Sequence, residues 1–326
     1  MRYLFIINSK SQTSTIKELE DAISELDDDL RVRIEFRYTE YPGHARDIAV
    51  EASDANGAGI TIVSCGGDGT FHEIANALAF RSTPIICIPM GTGNDFARII
   101  FPQESMKKPF SQIRNLDSVK VVPIDLVRLD SYDMLGSHIP IWSCYFNNIA
   151  SIGLDTQVQC LAKTFIKGKD TKFNRKTAYV RAALKSIFGN RDSKFTYSLE
   201  LENGETYTSN SDTHTLISLC NGRYYGDGFC PAPKAKISDG ILDVCVVESV
   251  SFFRSFPLLL HYRKGTHAGK QGISTYRVTS GIVTCQDSSF QLLGNYDGED
   301  FFGDRIRFEV FSNALNLGIF PGVEIE

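Results

Sequence analysis

The sequence predicts an α/β chain: an N-terminal doubly wound, Rossmann-like domain, then a mostly antiparallel β-sandwich domain. Three observations carry this. Over the first ~125 residues, short continuous apolar runs alternate with amphipathic helical stretches, the pattern of βα units. Two of the apolar runs end in glycine-rich loops, GGDGT at 66–70 and GTGND at 91–95. Beyond residue ~120, short alternating runs separated by turn residues take over.

The elements follow in order. RYLFII reads as a buried strand. TIKE at 15–18 is a capping-box pattern opening a helix with Ile16, Leu19, Ile23 and Leu26 on one face. RVRIEFRYT alternates like a strand, and PGHARDIAVEA follows as a helix. GITIVSC is the next strand, ending at the first glycine loop. A second capping box, TFHE at 70–73, opens a helix with Phe71, Ile74, Ala75 and Leu78 inward. PIICIP is a further strand, ending at the second loop. Later, WSCYFNNIASIG, FTYSLEL, ETYTS, HTLISLC, ILDVCVV, RVTSGIVTC and IRFEVF read as strands. Asn203-Gly204 marks a hairpin between two of them. Helical insertions are expected near 155–190 and 251–264.

Composition is that of an ordinary soluble globular chain, with 42% hydrophobic and 22% charged residues in 326. The eight cysteines are dispersed, mostly in apolar runs, without a CxxC pair or His/Cys cluster, so buried reduced thiols are expected and zinc is not. No signal peptide or membrane-spanning run is legible, which leads us to expect a cytoplasmic protein. The net charge of −5 hides a segregation. Lys163–Lys194 carries ten Lys/Arg against Asp170 and Asp192, and 249–286 carries five Lys/Arg and no acid.

Ligands of open parallel sheets sit beyond the carboxyl ends of the strands, where both glycine loops fall. Glycines let the backbone approach a phosphate and turn N–H groups toward it, and the helix after the first loop adds its positive end. Asp68 would repel a bare phosphate, so it implies an intervening Mg²⁺, and Asp95 repeats that logic. Gly-Gly-Asp-Gly by itself is an ordinary strand-to-helix turn. Its pairing with a second loop at a matching strand end favours one shared nucleotide-triphosphate cradle.

GGDGT with GTGNDFAR resembles the lipid-kinase catalytic fold shared by diacylglycerol, sphingosine and ceramide kinases, most closely the soluble bacterial diacylglycerol kinases. FNNIASIGLD (146–155), NGRYYGDGFCPAPKAKISDGILDV (221–244) and YDGED (296–300) extend the resemblance over nearly the whole chain. It implies an NAD kinase/phosphofructokinase-like first domain at 1–124, rejoined by 313–326, and a lipid-substrate domain at 125–312. It also implies ATP bound by Gly66, Gly67, Asp68, Gly69, Thr70, Phe71 and His72, with Thr39, Thr92, Gly93 and Asn94. Asn8, Ser9 and Lys10 would form the first phosphate-facing loop, although this chain reads NSKSQTST where the family usually has Pro and glycines after the Asn.

The same resemblance implies a catalytic Mg²⁺ organised by Asp68, Asp95 and Asp125. A second, structural Mg²⁺ would lie on Lys236, Asp239 and Ile241. A lipid hydroxyl needs a proton acceptor, and Asp297 and Glu299 jointly supply it, undivided at this stage. The implied reaction is phosphorylation of diacylglycerol to phosphatidic acid. Phosphatidylglycerol or a sphingoid base is the alternative acceptor, and a catalytically weak nucleotide- or lipid-binding protein the alternative class. The basic segments then read as a membrane-facing side for transient, peripheral contact, or else as solvated helix faces or a homodimer contact. No nucleic-acid-binding fold accompanies the charge.

Overall fold

A computed structural model describes residues 1–134, 138–165, 177–178, 181–182, 185–186, 192–226, 228–249, 252–287 and 291–325. It divides into two compact units. The first comprises Met1–Leu126, Lys236–Gly240 and Phe311–Glu326; the second comprises Val127–Ala235 and Ile241–Val310.

In the first unit the chain runs β1 (Arg2–Ile7), α1 (Thr13–Ser24), α2 (Asp28–Arg31), β2 (Ile34–Tyr38), α3 (His44–Asn56), β3 (Ile60–Gly66), α4 (Asp68–Leu78), β4 (Ile85–Pro89) and α5 (Ala97–Ile100). The strands pair in parallel in the order β2-β1-β3-β4. β3 and β4 are buried along their whole length, as continuous apolar runs in a parallel sheet must be. β2 is the edge strand: Glu35 to Tyr38 are exposed, so its alternation marks a sheet margin rather than a half-buried face. α3 packs on α4, and α1 on the 3-10 segment Pro109–Ser118.

Both capping boxes differ from the sequence reading. α1 begins at Thr13 behind Gln12, and α4 begins at Asp68 behind Gly67, neither with a side-chain cap bond. Thr70 instead accepts a hydrogen bond from another loop, and Glu73 accepts the Gly43 N–H at 3.1 Å. Long-range partners outbid the local box. The inward face of α4 is as expected, with Phe71, Ile74, Ala75 and Leu78 buried.

β5 (Lys120–Tyr132) begins in the first unit and ends in the second, which continues with β6 (Trp142–Phe146), β7 (Ile149–Gly153), α6 (Leu154–Phe165), β8 (Ser193–Leu201), β9 (Thr206–Thr208), β10 (Thr213–Cys220), β11 (Leu242–Glu248), α7 (Phe252–Lys264), β12 (Ile273–Cys285), β13 (Leu292–Tyr296), β14 (Glu299–Gly303) and the start of β15 (Arg305–Ile319). Among its described residues the strands pair antiparallel in the order β14-β13-β7-β10-β11-β12-β15, with β8 on β12, β10 and β9, and β5 on β6. Its core gathers Val127, Phe146, Phe195, Leu199, Ile217, Val244 and Phe308 among others. The Asn203-Gly204 turn joins β8 to β9, with Gly204 at φ +83°. The β13–β14 hairpin was not read from sequence as a pair of strands.

The end of β15 returns to the first sheet, where Leu317 and Gly318 pair in parallel with Ile85 and Ile86 of β4. Lys236–Gly240 also groups with the first unit, whereas the sequence reading put it in the β-rich domain. Buried Asp125 is the physical reason. Its N–H donates to the Ile237 carbonyl at 2.7 Å, and its carboxylate accepts the N–H of Gly240 at 2.7 Å and of Asn313 at 3.2 Å.

Candidate active site

β3 and β4 are parallel neighbours, so their carboxyl ends deliver the two glycine loops side by side. The Met90 N–H donates to the Gly66 carbonyl at 2.7 Å. The loops then touch backbone to backbone. A β-carbon on Gly91 would lie 2.5 Å from the Gly67 Cα, and one on Gly67 would lie 3.2 Å from the Gly91 Cα. Only glycine permits that approach at Gly91.

Asp68 ties the loops together. One carboxylate oxygen accepts the Asp95 N–H and the other the Phe96 N–H, both at 3.2 Å. Asn94, at φ +52°, closes its own loop: its Oδ1 accepts the Gly91 N–H at 3.0 Å, and its Nδ2 donates to the Gly91 carbonyl at 2.7 Å. Asp95 is buried, with Arg98 Nε 3.4 Å from its Oδ1. A β-carbon on Gly93 would stand 3.3 Å from Asp68 Oδ2 and 3.9 Å from Asp95 Oδ2, so the two carboxylates converge on one residue. Gly69, in the first turn of α4, and Thr92, in the second loop, are exposed. Phe71 and His72 are buried: the Phe71 and Phe96 rings meet at a tilt with centroids 5.2 Å apart, and the His72 ring lies 3.2 Å from Asn76 Nδ2. Any contact of these two with a ligand would come through backbone.

Beside this cradle, the ends of β1 and β2 border a cavity of about 140 Å³. Asn8 organises it. Its N–H donates to the Cys65 carbonyl at 3.0 Å, its Nδ2 donates to Thr70 Oγ1 at 3.1 Å, and its Oδ1 accepts the Lys10 N–H at 2.9 Å. The Ser9 N–H donates to Thr39 Oγ1 at 3.3 Å. The atypical NSKSQ loop therefore still reaches both Thr39 and Thr70. The lining also includes Glu40, Tyr41 and Glu73, which sequence reasoning missed. A capping-box reading had hidden Glu73; nothing in the sequence singles out Tyr41. Cys65 and Cys87, on the buried strands behind, are held protonated by burial, which pushes both thiols up.

The acidic turn belongs to the second unit. Asp297 (φ +46°) and Gly298 (φ +100°) link β13 to β14, and Asn295 Oδ1 accepts the Gly298 N–H at 3.0 Å. The structure separates the two carboxylates left undivided by sequence. Asp297 accepts three backbone N–H groups, from Asn147 at 2.8 Å and from Asn148 and Ile149 at 3.1 Å. Its own N–H donates to the Ile149 carbonyl at 3.1 Å. Glu299 is exposed.

The remaining expected metal residues behave differently. Burial raises the Asp125 carboxyl, while its Gly240 and Asn313 donors oppose that rise. Both its oxygens are engaged in holding Lys236–Gly240 and the returning chain. Asp239 and Lys236 are exposed, and Ile241 falls in the other unit. Among the described residues no three His, Cys, Asp or Glu side chains converge on a metal site. The expected structural ion would use the Asp239 carboxylate and the backbone carbonyls of Lys236 and Ile241, a donor set outside such a cluster, while Asp125 pins the same segment through its own hydrogen bonds.

Of the basic segments, Lys167, Lys169, Arg175 and Lys176 lie outside the described residues. Lys163 pairs with Asp300 at 2.7 Å, Arg277 with Glu202 at 2.8 Å, and Arg263 lies over the Phe229 ring at 5.6 Å. Among the described residues no helix is long and apolar enough to cross a membrane.

Both parts of the chain match known protein families. Residues 2–129 match the diacylglycerol kinase catalytic domain, and residues 148–319 match the YegS C-terminal NAD kinase beta sandwich-like domain. A Stenotrophomonas maltophilia protein named "Probable lipid kinase YegS-like" is 30% identical over 98% of this chain and 97% of its own length. In fold, the chain is similar to a diacylglycerol kinase structure from Bacillus anthracis, with a TM-score of 0.65 at 17% identity over 99% of this chain and 98% of that one. Yeast NADH kinase shares the fold more distantly, with a TM-score of 0.50 at 10% identity over 98% of this chain and 82% of that one.

Proposed function

Because the chain belongs to the YegS-like family of lipid kinases, phosphotransferases acting on an alcohol group, we propose that it transfers the terminal phosphoryl group of ATP to the hydroxyl of diacylglycerol, giving phosphatidic acid. The observation that carries the reading is the contact of Gly67 with Gly91 under the Asp68 staple. It makes one rigid cradle of two loops, and rigid alignment of a polyphosphate is most of what phosphoryl transfer asks of a protein.

In this reading the backbone N–H groups of Gly66 to Thr70 and the start of α4 grip phosphate. Thr92, Gly93 and Asn94 border the phosphates from the second loop, while Asn8, Ser9, Lys10 and Thr39 hold the nucleotide in the adjoining cavity. Mg²⁺ fits the carboxylates that converge on Gly93, since this hard ion takes one or two carboxylates and completes its shell with substrate oxygens and water. Asp68 and Asp95 would hold it. When bound it neutralises charge on the phosphates. Asp125, buried and doubly engaged, is assigned to the fold.

Glu299 takes the proton of the lipid hydroxyl as the phosphoryl group arrives, a contribution on the order of 10²–10⁴-fold. Asp297 positions the turn that carries it. The lipid is reached from the aqueous side by peripheral, reversible contact. The test is ATP consumption that depends on added diacylglycerol, with labelled phosphatidic acid as product and a Glu299→Gln variant as control. A wild type that labels a different lipid alcohol from a whole-lipid extract, and not diacylglycerol, would displace the substrate assignment and leave the kinase assignment standing.

A further inference from the structure

We propose that Met134, Ile139 and Ile141, the described apolar residues flanking β5 and β6 in the second unit, dock on a lipid bilayer and set the acidic turn at the depth of the acceptor hydroxyl. The proposal rests on the lipid-kinase reading for its purpose and on the following geometry for its content.

These are apolar side chains that a water-facing hairpin has no reason to expose. Met134 is 53% exposed, Ile139 77% and Ile141 64%. They group at one end of the strand pair, because Ser131 of β5 stands opposite Trp142 of β6 and the Ile141 N–H donates to the Ser131 carbonyl at 2.7 Å. Phe302, 59% exposed, belongs to the same end. It precedes Gly303, where a β-carbon would lie 2.5 Å from Ser131 Oγ.

The polarity is layered as a membrane interface is layered. Next to these aliphatic side chains in the chain come two amphipathic aromatics, Tyr132 and Trp142, and a cation, Arg305, lies with its guanidinium over the Tyr132 ring at 5.7 Å. Aromatic rings and arginine favour the headgroup level, with aliphatic groups just beneath it. Between Tyr132 and Trp142 the sequence carries only Asp133 and His138 as ionisable residues, so the connection suits shallow immersion. A protein partner would require no such ordering.

The patch is also coupled to the chemistry. Trp142 packs on the acidic hairpin, its ring 5.4 Å from Phe301 and 6.1 Å from Tyr296. β6 then runs from Trp142 to Phe146, about 17 Å for five extended residues. It leads straight into Asn147, Asn148 and Ile149, whose N–H groups Asp297 holds. One end of this short rod adjoins Ile139 and Ile141; the other is clamped to the turn bearing Glu299. Docking the first end therefore fixes the height of that turn over the bilayer.

The chain contains a single tryptophan, Trp142, so the native protein reports on its own docking. With mixed phosphatidylcholine–phosphatidylglycerol vesicles, Trp142 emission should shift to the blue and be quenched by lipids brominated near the headgroup. Ile139→Ser with Ile141→Ser should weaken vesicle partitioning by roughly tenfold for each isoleucine. The double variant should keep wild-type turnover of a short-chain diacylglycerol dispersed as monomers. Unchanged Trp142 emission on vesicle binding, or a double variant that floats with vesicles as the wild type does, would overturn the proposal. So would a wild-type dimer that the double variant splits without loss of vesicle binding, since that assigns the patch to a second copy of the chain. A wild type that phosphorylates no lipid alcohol defeats the functional reading instead, and the fluorescence result still decides the docking.

Discussion

Asp297 accepts the backbone N–H of Asn147 at 2.8 Å across 150 residues of sequence, and adds Asn148 and Ile149 with the same carboxylate. A carboxylate taking three N–H donors is an anchor, and its removal strands those donors. Asp297→Ala should therefore destabilise the protein by about 1–3 kcal/mol and lower turnover together. Glu299→Gln should abolish turnover without moving the urea midpoint. Equilibrium unfolding alongside kcat for both variants checks the division of roles; equal stability loss in both would undo it.

Gly91→Ala forces a methyl group to within 2.5 Å of the Gly67 Cα. Backbone cannot yield as a side-chain end can, so the two loops must part. Nucleotide binding should weaken by tenfold or more, with about 1–3 kcal/mol lost in stability. Calorimetric titration with ADP and Mg²⁺ reads the first, and thermal unfolding the second. Gly69→Ala is the matching control: a β-carbon there meets nothing within 4 Å, so its effect should be small.

Asn8 makes three hydrogen bonds that join the ends of β1 and β3 to its own loop. Asn8→Ala keeps the backbone bond and loses the two side-chain bonds, each contributing about 0.5–1.5 kcal/mol. The KM for ATP should rise several-fold while the KM for the lipid stays put. A change confined to the lipid KM would show that the cavity beside Thr39 serves something other than the nucleotide.

Asp117 carries a pH dependence of stability. Paired with both Arg33 guanidinium nitrogens at 2.8 and 2.6 Å, and accepting the Tyr3 hydroxyl at 2.9 Å, it is lowered from 3.8 to about 2. A lowered carboxyl binds its proton more weakly folded than unfolded. Its contribution is present above pH 3.8 and is lost as pH falls toward 2. The site is half-exposed, so the effect is modest. Urea midpoints at pH 5 and pH 2.5 should differ less in Asp117→Asn than in the wild type.

Much of this was legible from sequence, for reasons specific to particular residues. The continuous apolar runs of β1, β3 and β4 can only be buried parallel strands, and the glycines at 66–70 and 91–95 mark where those strands must stop. Because β3 and β4 are near in sequence, their loops could be paired before any coordinate was known. What stayed hidden depended on contacts between residues far apart in the chain. Glu73 looked like a local cap and became the acceptor for Gly43. Nothing in the sequence around Asp125 showed that its carboxylate holds the Gly240 and Asn313 N–H groups.

The sequence by itself determined the class of the fold, the two glycine loops and the presence of two carboxylates in one turn, because periodicity and backbone freedom are local properties written residue by residue. Tertiary structure alone decided that Gly67 and Gly91 touch, that Asp68 staples their loops, and that Asp297 anchors while Glu299 is left exposed. Hydrogen-bond partners and close approaches are set by which distant segments share a neighbourhood, and no window of sequence contains that.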